Sequence, residues 1–362
     1  MENSENTILS NGNNSQCESC GGNLVFNPNF QKLWCANCQN QYDIPKVVQL
    51  VKLPIESATE DISSVDNWKT QNKVFRCKTC GASVILQGLD VTSKCPYCGS
   101  DYVLDPNTLP GLKPNSVIPF SFDEKKASEH FRNGVKKIFL IPNSFKKKVP
   151  ENRIRGIYVP SFAFDSNTNS SYNGVLVKDH THTNSKGQTT TTHEYIRIAG
   201  NKLLNFTNVT IESSSKIDNK DMKALLPYQL NFNYQFNNDF IRGYSTEHYC
   251  DSIDKCFEVA QQEMKTQIKQ NILNEYRTRY HYDRVQSFNL STTFNNNLYE
   301  YRLLPVYCFE FTYKNKKYIT YMNGQTGKIG TGYPKAYWKI VVIVLSILVA
   351  FGLVFLLYLL SN

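Results

Sequence analysis

Two hydrophobic periods alternate along the chain, and the places where one gives way to the other divide it. Residues 1–15 hold few apolar side chains and predict a polar tail. From 16 to 42, Leu24 and Phe26 alternate with polar neighbours, Leu33-Trp34 follows, and Asn27-Pro28-Asn29 lies between them, the pattern of a β-hairpin. Pro45, Pro54 and a Glu-Ser-Ala-Thr-Glu-Asp run make 43–73 read as a linker. The hairpin pattern then returns over 74–105, with Val84-Ile85-Leu86 as a strand and Gly88 as its turn.

Beyond residue 106 the period lengthens to that of a helix. Ser121 and Glu124 have capping-box spacing, and Ala127, Phe131, Val135 and Ile138 recur behind them, so a helix is expected to end near Ile141-Pro142. Arg155–Asp165 predicts a strand with Pro160 at an edge or bulge, and a hairpin follows in which Val175–Thr183 returns as Thr189–Ile198. The order then repeats. Leu226-Pro227 echoes Ile118-Pro119. A helix over 252–274 lines up Ile253, Cys256, Phe257, Ala260, Met264, Ile268 and Ile272. Arg302–Phe311 echoes the strand around Pro160, and Tyr318–Met322 with Asn323-Gly324 makes a closing hairpin. The fold class expected is α+β: two small β modules, a domain over 106–334 built of two related halves (about 117–212 and 225–334), and a C-terminal helix. That last segment, 340–360, contains no charge, with Tyr337, Trp338 and Lys339 before it. It predicts a single transmembrane helix at a cell membrane, with the preceding domains in the cytoplasm.

Cysteine spacing changes the reading of the two hairpins. Cys17 and Cys20 stand fourteen residues before Cys35 and Cys38, and Cys77 and Cys80 stand the same distance before Cys95 and Cys98. Zinc takes four deprotonated thiolates in a tetrahedron, and a two-residue gap lets one tight turn aim two sulfurs at one ion. Two structural zinc ribbons are therefore expected, with iron held as in rubredoxin the rival. A core this small needs its metal to fold, so Cys80→Ser is expected to unfold the second module. Without an apolar leader at the amino end, a disulfide framework is disfavoured and Cys250, Cys256 and Cys308 read as ordinary thiols.

Charge then separates the modules from the rest. The net +9 divides into 8 basic against 11 acidic residues up to residue 105, and 30 against 20 from 106 to 334. The ribbons thus lack the cationic face that phosphate backbones require, and a protein partner is the expected use of them. The basic stretch Lys125–Arg155, including Lys146, Lys147 and Lys148, is expected at anionic lipid headgroups or, in a second reading, on nucleic acid. His180, His182 and His193 lie on the two arms of the first hairpin. An even-numbered loop puts all three on one face as a candidate metal or pH site, and an odd one turns His193 away. Gly324-Gln-Thr-Gly-Lys328 departs from a phosphate loop in spacing and lacks Ser or Thr after the lysine. No catalytic motif is found.

Several of these stretches together resemble a family of bacterial membrane proteins with TFIIB-type, rubredoxin-like double zinc ribbons, often labelled as similar to the primosomal helicase. They are CPYCGS at Cys95–Ser100, VIPFSF at Val117–Phe122, GIYVPSFAFD at Gly156–Asp165, LLPYQL at Leu225–Leu230 and YMNGQTGKIGTGYP at Tyr321–Pro334. The resemblance implies zinc, a membrane tether and no established reaction. Helicase activity is not expected, because no Walker motif is present. The reading is a membrane-anchored, non-enzymatic adaptor whose ribbons bind a protein partner, with a membrane-tethered nucleic-acid binder as the alternative.

Overall fold

A computed structural model describes residues 16–48, 51–58, 68, 72–87, 94–104, 111–147 and 153–361. The expected tail, the turn at Gly88, Lys148 and much of the expected linker lie outside the described residues. What is described is a mixed α+β fold with two small four-cysteine strand regions at its amino end.

Its frame is one antiparallel pair of very long strands, β9 (Arg153–Thr183) and β13 (Arg284–Tyr313), paired from Arg153↔Glu310 to Val177↔Arg284 with register shifts between Val285 and Ser287 and between Asn295 and Leu298. Around them an 11-stranded sheet assembles. On the outer side of β9, β12 (Ser245–Glu247) pairs in parallel up to Tyr158, and β10 (Thr189–Glu212) pairs from Ser161 onward. On the outer side of β13, β8 (Ser116–Val117) pairs in parallel up to Leu303, and β14 (Lys316–Asn323) pairs from Val306 onward. Pro160 and Pro305 each stand at the change of partner, where a missing N–H breaks no ladder. Each instead accepts a hydrogen bond through its carbonyl, from Ser213 N–H and Gly324 N–H, both at 2.9 Å.

Helix α1 (Glu124–Lys137) begins two residues later than the capping box suggested. Asp123 is its N-cap and accepts from Lys126 N–H; its buried face is Ala127, Phe131 and Val135, with Phe131 stacked on Phe309. Two short helices follow, α2 (Asn143–Lys147) and α3 (Asn219–Leu225). Helix α4 (Ile253–Tyr280) is capped by Ser252 and buries the predicted stripe, apart from the half-buried Phe257, against the sheet. Gly332 closes the turn after β14 with φ +89; a Cβ there would lie 2.0 Å from the Ile319 carbonyl oxygen, so only glycine fits.

The expectation of a single-pass membrane protein is corrected by the C-terminal helix α5 (Trp338–Ser361). Among the described residues, no helix is long and apolar enough to cross a membrane. The side chains at 355, 356, 359 and 360 of the expected span lie outside the described residues. Lys339, assigned from sequence to an interfacial belt, is instead buried. Its Nζ donates to the carbonyls of Phe139 and Ile141 and to Asn143 Oδ1 at 2.8–3.0 Å.

Two candidate four-cysteine metal centres

Each predicted zinc site is built from two turns of one design. In all four, the first cysteine's carbonyl accepts from the N–H four residues on: Gly21 to Cys17, Gln39 to Cys35, Gly81 to Cys77 and Gly99 to Cys95, at 2.8–3.0 Å. That fourth residue has positive φ every time, and only Gln39 occupies it without being glycine. The turns bring Cys17, Cys20, Cys35 and Cys38 into one group and Cys77, Cys80, Cys95 and Cys98 into another, all ligand atoms of a group within 4.8 Å of one another. The shortest sulfur separations are 3.4 Å (Cys17–Cys38 and Cys77–Cys98), 3.5 Å (Cys20–Cys35) and 3.6 Å (Cys80–Cys95). A tetrahedron with 2.3 Å zinc–sulfur bonds has edges near ~3.8 Å, whereas a disulfide needs ~2.05 Å. The eight cysteines therefore fit two zinc ions and do not fit bridges.

The surroundings of the two centres differ. The first is carried by β1 (Leu24–Asn27), β2 (Lys32–Cys35) and β3 (Gln41–Tyr42), a three-stranded sheet of its own, and Cys20 and Cys38 are exposed. The Tyr42 hydroxyl lies 3.2 Å from Cys17 Sγ and chiefly accounts for a thiol lowered to about 6. This small sheet is fixed to the main body. Phe26 packs edge-on against Phe240 at 5.7 Å, Phe26 N–H donates to Arg242, Gln31 Nε2 donates to the Phe120 carbonyl, and Asn29 Nδ2 donates to Asp123.

The second centre lies inside the main sheet. Its strands β5 (Asn72–Cys77), β6 (Ser83–Gln87) and β7 (Tyr102–Leu104) extend that sheet through β6 pairing with β12. Cys77, Cys95 and Tyr97 belong to one buried cluster with Ile157, Val159, Leu304 and Cys308. Two cations face the turns: Arg155 Nη1 donates to the Cys95 carbonyl, and Lys216 Nζ to the Cys80 carbonyl. A zinc ion held by four thiolates carries about −2 in total, so this placement offsets charge that burial would otherwise penalise. Tyr97, within the second turn, donates to Glu247 at 2.6 Å. Glu247 is fully buried and also accepts from Ser214 Oγ and from both the N–H and hydroxyl of Ser215 at 2.7–2.9 Å. Burial pushes the Glu247 carboxyl up, against these donors.

The remaining sequence candidates fall elsewhere. The hairpin loop between β9 and β10 spans 184–188, five residues, so parity separates the histidines. His193 faces Asp179 (2.7 Å) on one side, beside Arg284, while His180 faces Glu194 (2.9 Å) on the other. They form no common metal site. Gly324–Gly327 is an Asn-closed turn, with Asn323 Oδ1 accepting from Gln325 and Thr326 N–H, and Lys328 capping the Leu226 carbonyl. Arg155, counted from sequence with a lipid-facing stretch, belongs to the second metal centre. Sequence reading missed Lys216, Glu247 and the two serines; only the position of Tyr97 between two ligands hinted at them.

A relative can now be set beside this geometry. The chain is similar to an uncharacterised protein, YdjG, of Bacillus subtilis (strain 168). The two are 26% identical over 314 residues, which covers 87% of this chain and 88% of the relative. No family model and no solved structure matches the chain.

Proposed function

We propose that the chain is a non-enzymatic adaptor in which the second zinc ribbon staples the body and the first presents a surface to a protein partner. The observation that carries this reading is the difference between the centres. Four thiolates close a zinc site and leave no position for substrate. The second ribbon is spent on the sheet, with paired strands on both sides of β5 and β6. The first keeps Cys20 and Cys38 exposed and holds Phe30, 54% exposed, at the tip of the β1–β2 turn. An exposed aromatic on a metal-fixed turn is the kind of rigid anchor that protein interfaces use.

We read the ribbons as TFIIB-type, on the spacing and the four like turns, and the body as two related halves. The unit β8–α1–β9–β10 corresponds to β12–α4–β13–β14, each first strand pairing in parallel with the long strand of the other unit. The test is quantitative co-purification with the intact chain and with Phe30→Asp, both checked for zinc content. Loss of a stoichiometric protein partner from the variant alone is expected; an identical set of captured proteins overturns the reading. A nucleic-acid role draws on the exposed Lys125, Lys126, Lys136 and Lys137 of α1, and a steep salt dependence of filter binding would favour it instead.

A further inference from the structure

We propose that the cleft at the foot of α5 binds a phosphate monoester. The cleft has a volume of about 470 Å³ and lies where α2, the β13–β14 turn and the segment before α5 meet. Three lysines line it, Lys314, Lys316 and Lys335, and no carboxylate does among the described residues. The nearby Glu310 faces Lys317 at 3.8 Å, outside the cleft. Two of the three ammonium groups are placed by rings: Lys314 Nζ lies 5.8 Å from the centre of Tyr313, and Lys316 Nζ 5.6 Å from that of Tyr318. Tyr313 is itself held by Ser144, hydroxyl to hydroxyl at 2.6 Å. Lys339 does not share in this charge, because its ammonium is turned inward onto three oxygens.

Three lysines line one open cavity, and no carboxylate stands among its described lining residues. All three are exposed, and their combined charge is complementary to a dianion. Tyr337 and Trp338, both more than half exposed, flank it and supply apolar wall for whatever the phosphate is esterified to. A phosphate monoester is the common chemistry of a small soluble ester and of a phosphatidic acid headgroup, and the site recognises what the two share.

The experiment uses the full chain in a phosphate-free buffer, titrated calorimetrically with sn-glycerol 3-phosphate. In parallel, its partition onto phosphatidylcholine vesicles with and without phosphatidic acid is measured. The K314Q/K316Q/K335Q variant is compared with K136Q/K137Q/K147Q, which removes the same charge from exposed positions of α1 and α2. Binding in at least one arm is expected, weakened at least about tenfold by the first variant and little by the second. Soluble-arm binding assigns a free ester, and vesicle-arm binding alone assigns the headgroup. No binding in either arm, or equal loss in both variants, overturns the proposal; thermal melts of both variants verify that they are folded.

Discussion

At the scale of single residues, buried carboxylates are where the structure commits most and where sequence says least. Glu247 and Glu212 look like any other glutamates in a chain with 31 acidic residues. Glu247 gathers four donors from Tyr97, Ser214 and Ser215, so Glu247→Ala removes the acceptor they share. A loss of about 2–4 kcal/mol in urea unfolding is expected. Tyr97→Phe, which removes one bond and keeps the ring, should cost about 1 kcal/mol. Glu212, buried at the end of β10, has its carboxyl pushed up to about 8 by desolvation. It therefore holds its proton in the fold and releases it in the unfolded chain, whose glutamates titrate near ~4.3. The sign follows: stability is greatest below that unfolded value and is lost as pH climbs through about 8. Glu212→Gln should therefore gain on the parent by about 4 kcal/mol between pH 5 and about pH 8.5, read as denaturation midpoints across that range. The histidines teach the same lesson about what a sequence can carry. Loop parity was readable as the deciding quantity, but the five-residue loop that settles it was visible only in the pairing.

At the scale of elements, helices were more legible than strands. The stripe of α4 could be read residue by residue, because a 3.6 period survives any tertiary context. The long strands could not, since Asp165-Ser-Asn-Thr-Asn-Ser-Ser-Tyr-Asn-Gly174 has the composition of a loop. It is strand because α4 covers one face and its small polar side chains find partners across the ladder. Ser166 donates to Asn297, Thr168 to the Leu204 carbonyl, and Ser170 lies 2.8 Å from Thr292. The start of α1 was misplaced for a related reason: Ser121 fits a capping box, but Ser121 N–H is bonded to the Gly324 carbonyl, and Asp123 takes the cap. Asp123 has two duties, accepting from Lys126 N–H and from Asn29 of the first ribbon. Asp123→Ala should cost about 1–2 kcal/mol of stability, and hydrogen exchange should rise in the first turn of α1 and in the Asn27–Gln31 turn together. Faster exchange in α1 alone would mean that the Asn29 contact does not hold the ribbon.

At the scale of the whole molecule, spacing alone located both four-cysteine groups that could hold a metal ion, yet it made them look equivalent. Placement is what distinguishes them, since one closes a small sheet resting on the body and the other continues the main sheet. Their metals should therefore have different reach. Removing a ligand from the first, as in Cys38→Ser, leaves β9, β13 and their neighbours paired, and the main thermal transition should stay within a few degrees of the parent. Protection from hydrogen exchange should fall in 17–42 alone. Removing one from the second, as in Cys95→Ser, strips the ion from a cluster that includes Ile157, Val159, Leu304 and Cys308 and leaves Arg155 and Lys216 without the charge they offset. Because folding free energy is bound to that ion, the main transition should drop by tens of degrees or vanish, with exchange rising at 153–159, 245–247 and 302–308. Zinc content distinguishes this from general damage: each variant should retain one ion per chain at its intact centre if that centre still folds, and Cys38→Ser should always do so. Equal and local effects from the two substitutions would show that the second ribbon is as separable from the body as the first.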